Sequence, residues 1–195
     1  MTVTSFKGGV GKTTTAVHLA AYLQTLAPTL LLDGDKTKNA TGWSQRGEGF
    51  PLRVGSVDQA AMLARDYQHI VIDLGQRPDD ADLKAAADGC DLLIIPTVPS
   101  ALETDGLGQT LRALGQLGAK NWRVLLTMVS PDAKKEVTEL RDLLTSQKVP
   151  LFETSIPRFK AFQKAASTGQ IVSAVDDRNA QRAWEAYAAV GKELT

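Results

Sequence analysis

The sequence of 195 residues contains one cysteine, Cys90. A single thiol excludes an internal disulfide and, within one chain, a cysteine-held zinc or iron–sulfur centre; the expectation is a buried core thiol in a reducing cytoplasm. Charge of either sign in excess is also missing, since 22 Lys and Arg balance 22 Asp and Glu. Composition therefore names neither nucleic acid nor a membrane surface as a partner, and any basic patch must be local. No apolar run approaches the length of a bilayer span, and no charged leader precedes one, so a soluble protein is expected. Internal repeats and low-complexity tracts are lacking too. What remains is a chain with 43% hydrophobic residues, enough for one compact domain over 1–195.

Short apolar runs, "TVTSF", "TLLLD", "HIVIDL", "DLLIIPTV" and "WRVLLTMV", alternate with helical patterns. The patterns cover Thr13 to Leu26, Asp79 to Ala87, Leu102 to Leu117 and Ala133 to Leu144, the last with Asp132 as its N-cap. This alternation predicts an α/β fold, a doubly wound and mostly parallel sheet flanked by helices, with its ligand at the loop-bearing edge. "GWSQRGEGFP" reads as a surface connection. Beyond Pro150 the strand signal weakens to "LFETSI", and helical stretches around Lys160 to Ser167 and Arg178 to Leu194 end the chain.

The stretch "FKGGVGKTTT" lies between the first strand and the first helix. The strict G-x-x-x-x-G-K-[ST] pattern would need glycine where Phe6 stands, but K-G-G-x-G-K-[ST] is matched throughout. Gly8, Gly9, Val10 and Gly11 form a loop whose glycines let backbone N–H groups converge on phosphate oxygens at a helix N-terminus. Lys12 is placed to neutralise β- and γ-phosphate charge, Thr13 to ligate Mg2+ and Thr14 to bond the α-phosphate.

This string resembles the deviant Walker A motif of the ParA/MinD family of partition and positioning ATPases. The resemblance makes the early lysine, Lys7, the signature lysine that reaches phosphates held by the partner subunit of an ATP-sandwich homodimer, where an added cation offsets charge on the transferred phosphoryl group. "TLLLDGDKTKNAT" resembles the family's second acidic motif. The match implies that Asp35 orients the attacking water and Asp33 supports the Mg2+ shell, although Lys36-Thr37-Lys38 replaces the usual Pro-Gln continuation. "HIVIDLG" resembles the Walker B strand and makes Asp73 a Mg2+ holder through water. "DLLIIPTVPSALETDG" looks like the family's strand-loop-helix segment with its prolines and acidic residue. "LLTMVSPD" and "SIPRF" resemble the segments around adenine, with Pro157 against the base. "NATGWSQRG", and a chain that starts at the first strand without a helix-turn-helix domain, are similar to the small ParF-like proteins.

The resemblance implies ATP and Mg2+ as cofactors, nonspecific DNA and a small centromere-binding or cargo adaptor protein as partners, and a cytoplasmic, nucleoid-associated location. Arg158, Lys160 and Lys164, then Arg178 and Arg182 at helical spacing, are the candidate DNA contacts. Nitrogenase iron proteins share the loop but need paired cysteines. A MinD-like membrane ATPase needs a basic amphipathic terminal helix, whereas "RNAQRAWEAYAAVGKELT" reads as a helix packed on the core. A small ligase of dethiobiotin-synthetase type shares the fold but has no stated need for Lys7; turnover that requires a small carboxylate would mark it.

Overall fold

The computed structural model describes residues 1–76, 78–99 and 101–194, with the side chains at 76, 80 and 101–105 excepted. Six strands form one sheet: β1 (Thr2–Ser5), β2 (Thr29–Gly34), β3 (Arg53–Ser56), β4 (His69–Gln76), β5 (Leu93–Thr97) and β6 (Trp122–Leu126). Their order is β3-β2-β4-β1-β5-β6 and every pairing is parallel. The helices are α1 (Lys12–Gln24), α2 (Asn39–Gln45), α3 (Ala60–Leu63), α4 (Asp80–Gly89), α5 (Ala101–Gln116), α6 (Lys134–Ser146), α7 (Lys160–Thr168) and α8 (Ala180–Lys192).

β2 and β5 are buried and largely apolar on both faces because helices cover both faces, whereas β1 is buried with three hydroxyl side chains, Thr2, Thr4 and Ser5. Ile94 of β5 packs into a core with Val17, Leu31, Val71, Leu125 and Tyr187, whereas its neighbours Leu93 and Ile95 pack into a second core with Leu83, Leu114 and Leu140. Winding in both directions from β1 opens a crevice at its C-terminal end, between β4 and β5, where open parallel sheets take their ligands.

Four sequence expectations are corrected. "GWSQRGEGFP" is not all surface connection: Gly42 to Gln45 belong to α2, and Trp43 is buried against Gln170, whose carbonyl accepts its indole N–H at 2.9 Å. Asp132 does not cap α6, because the helix starts after Ala133 with no side-chain cap. The last helix begins at Ala180, so Arg178 lies before it. "LFETSI" forms no strand of its own; the segment touches the sheet through isolated parallel bridges at Leu151 and Pro157. The acidic side chains of the "SALETDG" segment lie outside the described residues.

Candidate functional site

The loop after β1 requires glycine at two positions. Gly9 has φ 77° and Gly11 has φ 86°, left-handed values that strain any residue with a Cβ. Gly11 is the N-cap of α1 and supplies no side chain, so the first N–H groups of that helix are left for a ligand. The loop is tied at both ends. Lys12 Nζ donates to the Lys7 carbonyl at 3.0 Å, and the Thr127 hydroxyl donates to the Val10 carbonyl at 2.8 Å.

The two lysines differ in setting. Lys12 is only 6% exposed; burial draws its ammonium below the ordinary lysine range, while Asp73 and Asp35 oppose that shift. Lys7 is half-buried, and its stem crosses α5 at Gly106. A Cβ on Gly106 would stand 3.1 Å from Lys7 Cβ and 3.2 Å from Cδ.

Sheet register assembles the carboxylates. Asp33 of β2 is the Cα partner of Asp73 of β4, which in turn neighbours Val3 of β1. Burial pushes the Asp73 carboxyl up to about 7, with Asp33 and Asp35 adding to the rise and Thr13 and Lys12 opposing it. The Thr13 hydroxyl falls short of hydrogen-bond geometry, and both Asp73 oxygens are buried without a partner among the described residues. Asp33 is fully engaged within its own loop: one oxygen accepts the Asp35 N–H at 3.1 Å, the other accepts the Thr41 N–H at 2.8 Å and hydroxyl at 2.7 Å. Asp35 Oδ1 accepts both the N–H and the hydroxyl of Thr37, at 2.8 and 2.7 Å. Burial raises the Asp35 pKa, but the Thr37 bonds together with Lys12 and Lys38 outweigh it and hold the carboxyl below its ordinary value. Thr37 thus does in this chain's Lys36-Thr37-Lys38 turn what the sequence left open: it fixes the Asp35 side chain.

Two joined cavities meet at the loop. A depression of about 300 Å³ is lined by Gly9, Gly11, Lys12, Thr13, Thr14 and Asp35, among others. A neighbouring cavity of about 210 Å³ is lined by Pro157, Phe159, Phe162 and Tyr187, and shares Gly11, Thr14, Met128 and Ala166 with the first. An apolar slot beside a phosphate-shaped depression has the form of a site for a base and its phosphates. The two segments expected around the base, "LLTMVSPD" and "SIPRF", supply Thr127, Met128, Pro157 and Phe159 to this cavity, whereas Phe162 of α7 and Tyr187 of α8 were missed by sequence reasoning.

The candidate DNA residues Arg158, Lys160, Lys164, Arg178 and Arg182 are all exposed. Arg158 and Lys160 flank Phe159, and the Arg182 guanidinium lies 5.4 Å from the centroid of that ring, so these three cluster. The Lys164 ammonium is turned to the Asp176 carbonyl, and Arg178 stands beside Asp176 and Asp177 in sequence. Arg158 also lines the base cavity.

A parallel sheet whose first strand enters a glycine-rich loop, with a buried lysine acted on by two carboxylates from strand ends, Asp73 and Asp35, defines a P-loop nucleotide-binding domain. The chain belongs to the CobQ/CobB/MinD/ParA family of nucleotide-binding domains, whose family model matches residues 1–172. It is 35% identical over 194 residues to "Maintenance of carboxysome distribution protein A" of Gloeobacter kilaueensis, covering 96% of this chain and 90% of that one. It is 27% identical over 215 residues to "Protein ParA" of Rhizobium radiobacter, covering 99% and 96%. Among solved structures, the septum site-determining protein MinD complexed with Mg-ADP from Pyrococcus horikoshii shares the fold, with TM-score 0.73 at 16% identity over 99% of this chain and 94% of that one. Within the family the chain is a ParA-like ATPase of the partition and positioning kind. No helix among the described residues is long and apolar enough to cross a membrane.

Proposed function

We propose that this chain is an ATP-dependent switch that dimerises around nucleotide, binds DNA without sequence preference in that state, and is released by hydrolysis stimulated by a cargo adaptor. The observation that carries the reading is the division between the lysines: Lys12 is buried and lines the phosphate depression, whereas Lys7 is half-buried, laid across α5 at Gly106, and not among the residues that line the depression. One lysine suffices for the phosphates in the same chain, and a second held apart from that depression suits phosphates brought by another subunit.

The residues fit Mg2+ with ATP. Among the described residues no group of three or more His, Cys, Asp and Glu could hold a metal alone. Thr13, at the start of α1, and the unpartnered Asp73 carboxylate would instead hold the ion together with phosphate oxygens and water, and Asp33 would support them through the loop it braces. The ion would supply charge neutralisation to the phosphates. Lys12 and the N–H groups of Gly9 to Thr14 bind and orient the phosphate chain, and Pro157 with its aromatic neighbours holds the base. Asp35, fixed by Thr37, orients a water at the γ-phosphate. Asp35→Ala is expected to bind ATP normally yet turn over at least tenfold more slowly, accumulating a dimer visible by light scattering. Turnover at the wild-type rate would remove Asp35 from the mechanism.

Partition and positioning by such a switch need a surface that gains affinity on dimerisation. Arg158, Lys160 and Arg182 offer about three phosphate contacts per protomer and about six per dimer, so DNA affinity should fall about a thousandfold between roughly 50 and 200 mM salt. The carboxysome and ParA relatives suggest the cargo classes, and the adaptor is a small cargo-bound or centromere-binding protein. Labelled random duplex titrated with ATP, with ADP and without nucleotide tests the reading; equal affinity in all three states overturns it. Lys160→Ala and Arg182→Ala should each weaken DNA binding and lower the salt slope, with ATP turnover unchanged in the absence of DNA. Arg158 is the less clean probe because it also lines the base cavity.

A further inference from the structure

Arg46, at the C-terminal end of α2, lines the phosphate depression together with Lys12, and these are the two cations among its lining residues. Lys12 already faces Asp73 and Asp35 and donates to the Lys7 carbonyl. Arg46 has no such counter-charge: no carboxylate among the described residues pairs with it. Its Nη1 donates to the Ala166 carbonyl of α7 at 2.8 Å, and its Nη2 lies 3.7 Å from where a Cβ on Gly42 would stand. One of five guanidinium N–H donors is thereby used, and the rest of the fork is available to a ligand.

The mounting is rigid for an exposed side chain. A Cβ on Gly47 would stand 2.3 Å from the Thr168 carbonyl oxygen, and a Cβ on Gly169 would stand 2.2 Å from the Gly47 nitrogen. Backbone therefore meets backbone where the ends of α2 and α7 join, and Trp43 pins the same joint through the Gln170 carbonyl. α7 carries Phe162 and Ala166 of the base cavity. Arg46 is thus fixed relative to the base site by one helix and to the acidic turn by the other.

Gly11, Thr14, Met128 and Ala166 line both cavities, so a nucleotide that fills both passes its α-phosphate through the stretch they share. Arg46 is hydrogen-bonded to the last of these residues. We propose that Arg46 is a binding residue of the nucleotide site, its guanidinium contacting the α-phosphate opposite Thr14. The proposal rests on the nucleotide reading above and adds a charged contact shared by ATP and ADP, distinct from the β/γ contact of Lys12.

The test compares wild type, Arg46→Gln and Arg46→Lys for affinity to ADP and to adenosine, by competition against a fluorescent ATP analogue. A lost charge-assisted contact to phosphate should weaken ADP about tenfold in Arg46→Gln, with Arg46→Lys in between, while adenosine affinity stays within about twofold. Helical circular dichroism and the thermal midpoint of each variant establish that the fold is kept. Unchanged ADP affinity overturns the proposal. Equal loss for ADP and adenosine also overturns it, since that pattern marks a loosened joint between α2 and α7 with no phosphate contact. A wild-type protein that binds no adenine nucleotide would instead sink the functional reading itself, and Arg46 with it.

Discussion

Lys12→Ala is expected to lower ADP and ATP affinity at least a hundredfold, and Lys7→Ala to leave ADP affinity within about threefold of wild type. The Lys12 ammonium is buried, and two carboxylates, Asp73 and Asp35, act on it. Removing it deletes a charge-assisted bond to phosphate worth about 1.5 to 3 kcal/mol and leaves the acidic side chains uncompensated where the phosphates must enter. Each 1.4 kcal/mol is about tenfold in affinity, so the two effects together exceed a hundredfold. Lys7 contributes its carbonyl to the loop, and that carbonyl survives in alanine. Its side chain lies over Gly106, off the depression that Lys12 lines. The loss in Lys7→Ala should therefore appear in dimerisation and turnover, measured by light scattering and phosphate release. Titration with ADP separates binding from those later steps. Equal loss of ADP affinity in the two variants would erase the division between the lysines.

Four strands, β2, β4, β5 and β6, are legible from their apolar runs, and β1, which reads Thr-Val-Thr-Ser, is legible from its β-branched residues just ahead of the glycine-rich loop. β3 is not legible: it is four residues at the sheet edge, with exposed Arg53 and a glycine among them. α2 was hidden for a related reason. Glycines at 42, 47 and 49 signal a turn locally, and only the tertiary burial of Trp43 against α7 makes a helix there worthwhile. The phosphate loop, by contrast, is legible because its left-handed backbone restricts Gly9 and Gly11 to glycine, and phosphate chemistry restricts Lys12 and Thr13 beside them. Asp33 and Asp73 converge because adjacent strands hold them in register, and Lys12 and Asp35 join them from the start of α1 and the turn after β2, a consequence of topology that the strand pattern already implied. The base cavity is different. It is assembled from α1, the end of β6, the Pro157 segment, α7 and α8, and no single stretch of sequence announces such a convergence. Arg46 is silent for the same reason, since its neighbour Ala166 is 120 residues away.

His18 should make the protein acid-sensitive. It is fully buried on α1, stacked 4.9 Å from Tyr187 and edge-on to Trp43 and Phe162. Nδ1 bonds the Thr14 carbonyl at 2.7 Å, so Nδ1 carries the proton, and Nε2 accepts the Val172 N–H at 3.1 Å. Protonating Nε2 would oppose a donor to a donor and place a charge among aromatic rings. Burial accordingly draws the His18 pKa down to about 4, against 6.5 when exposed, with the Thr14 bond opposing the shift. The folded pKa is depressed, so the unfolded chain binds the extra proton first. Stability is whole above pH 6.5 and is lost as pH falls from there toward 4. Between pH 7.5 and 4.5 the loss from this residue is roughly 2 to 3 kcal/mol. Asp73 runs the other way in the nucleotide-free protein: its folded pKa is raised, and acidification below about 7 favours the folded state. The wild-type profile therefore understates the histidine, and the comparison must be made against a variant. Urea unfolding of wild type and His18→Gln at pH 7.5 and 4.5 isolates it. On acidification the wild type should lose roughly 2 to 3 kcal/mol relative to His18→Gln. Parallel losses in the two proteins would show that His18 titrates normally and that the neutral ring is not what links the loop helix to Val172.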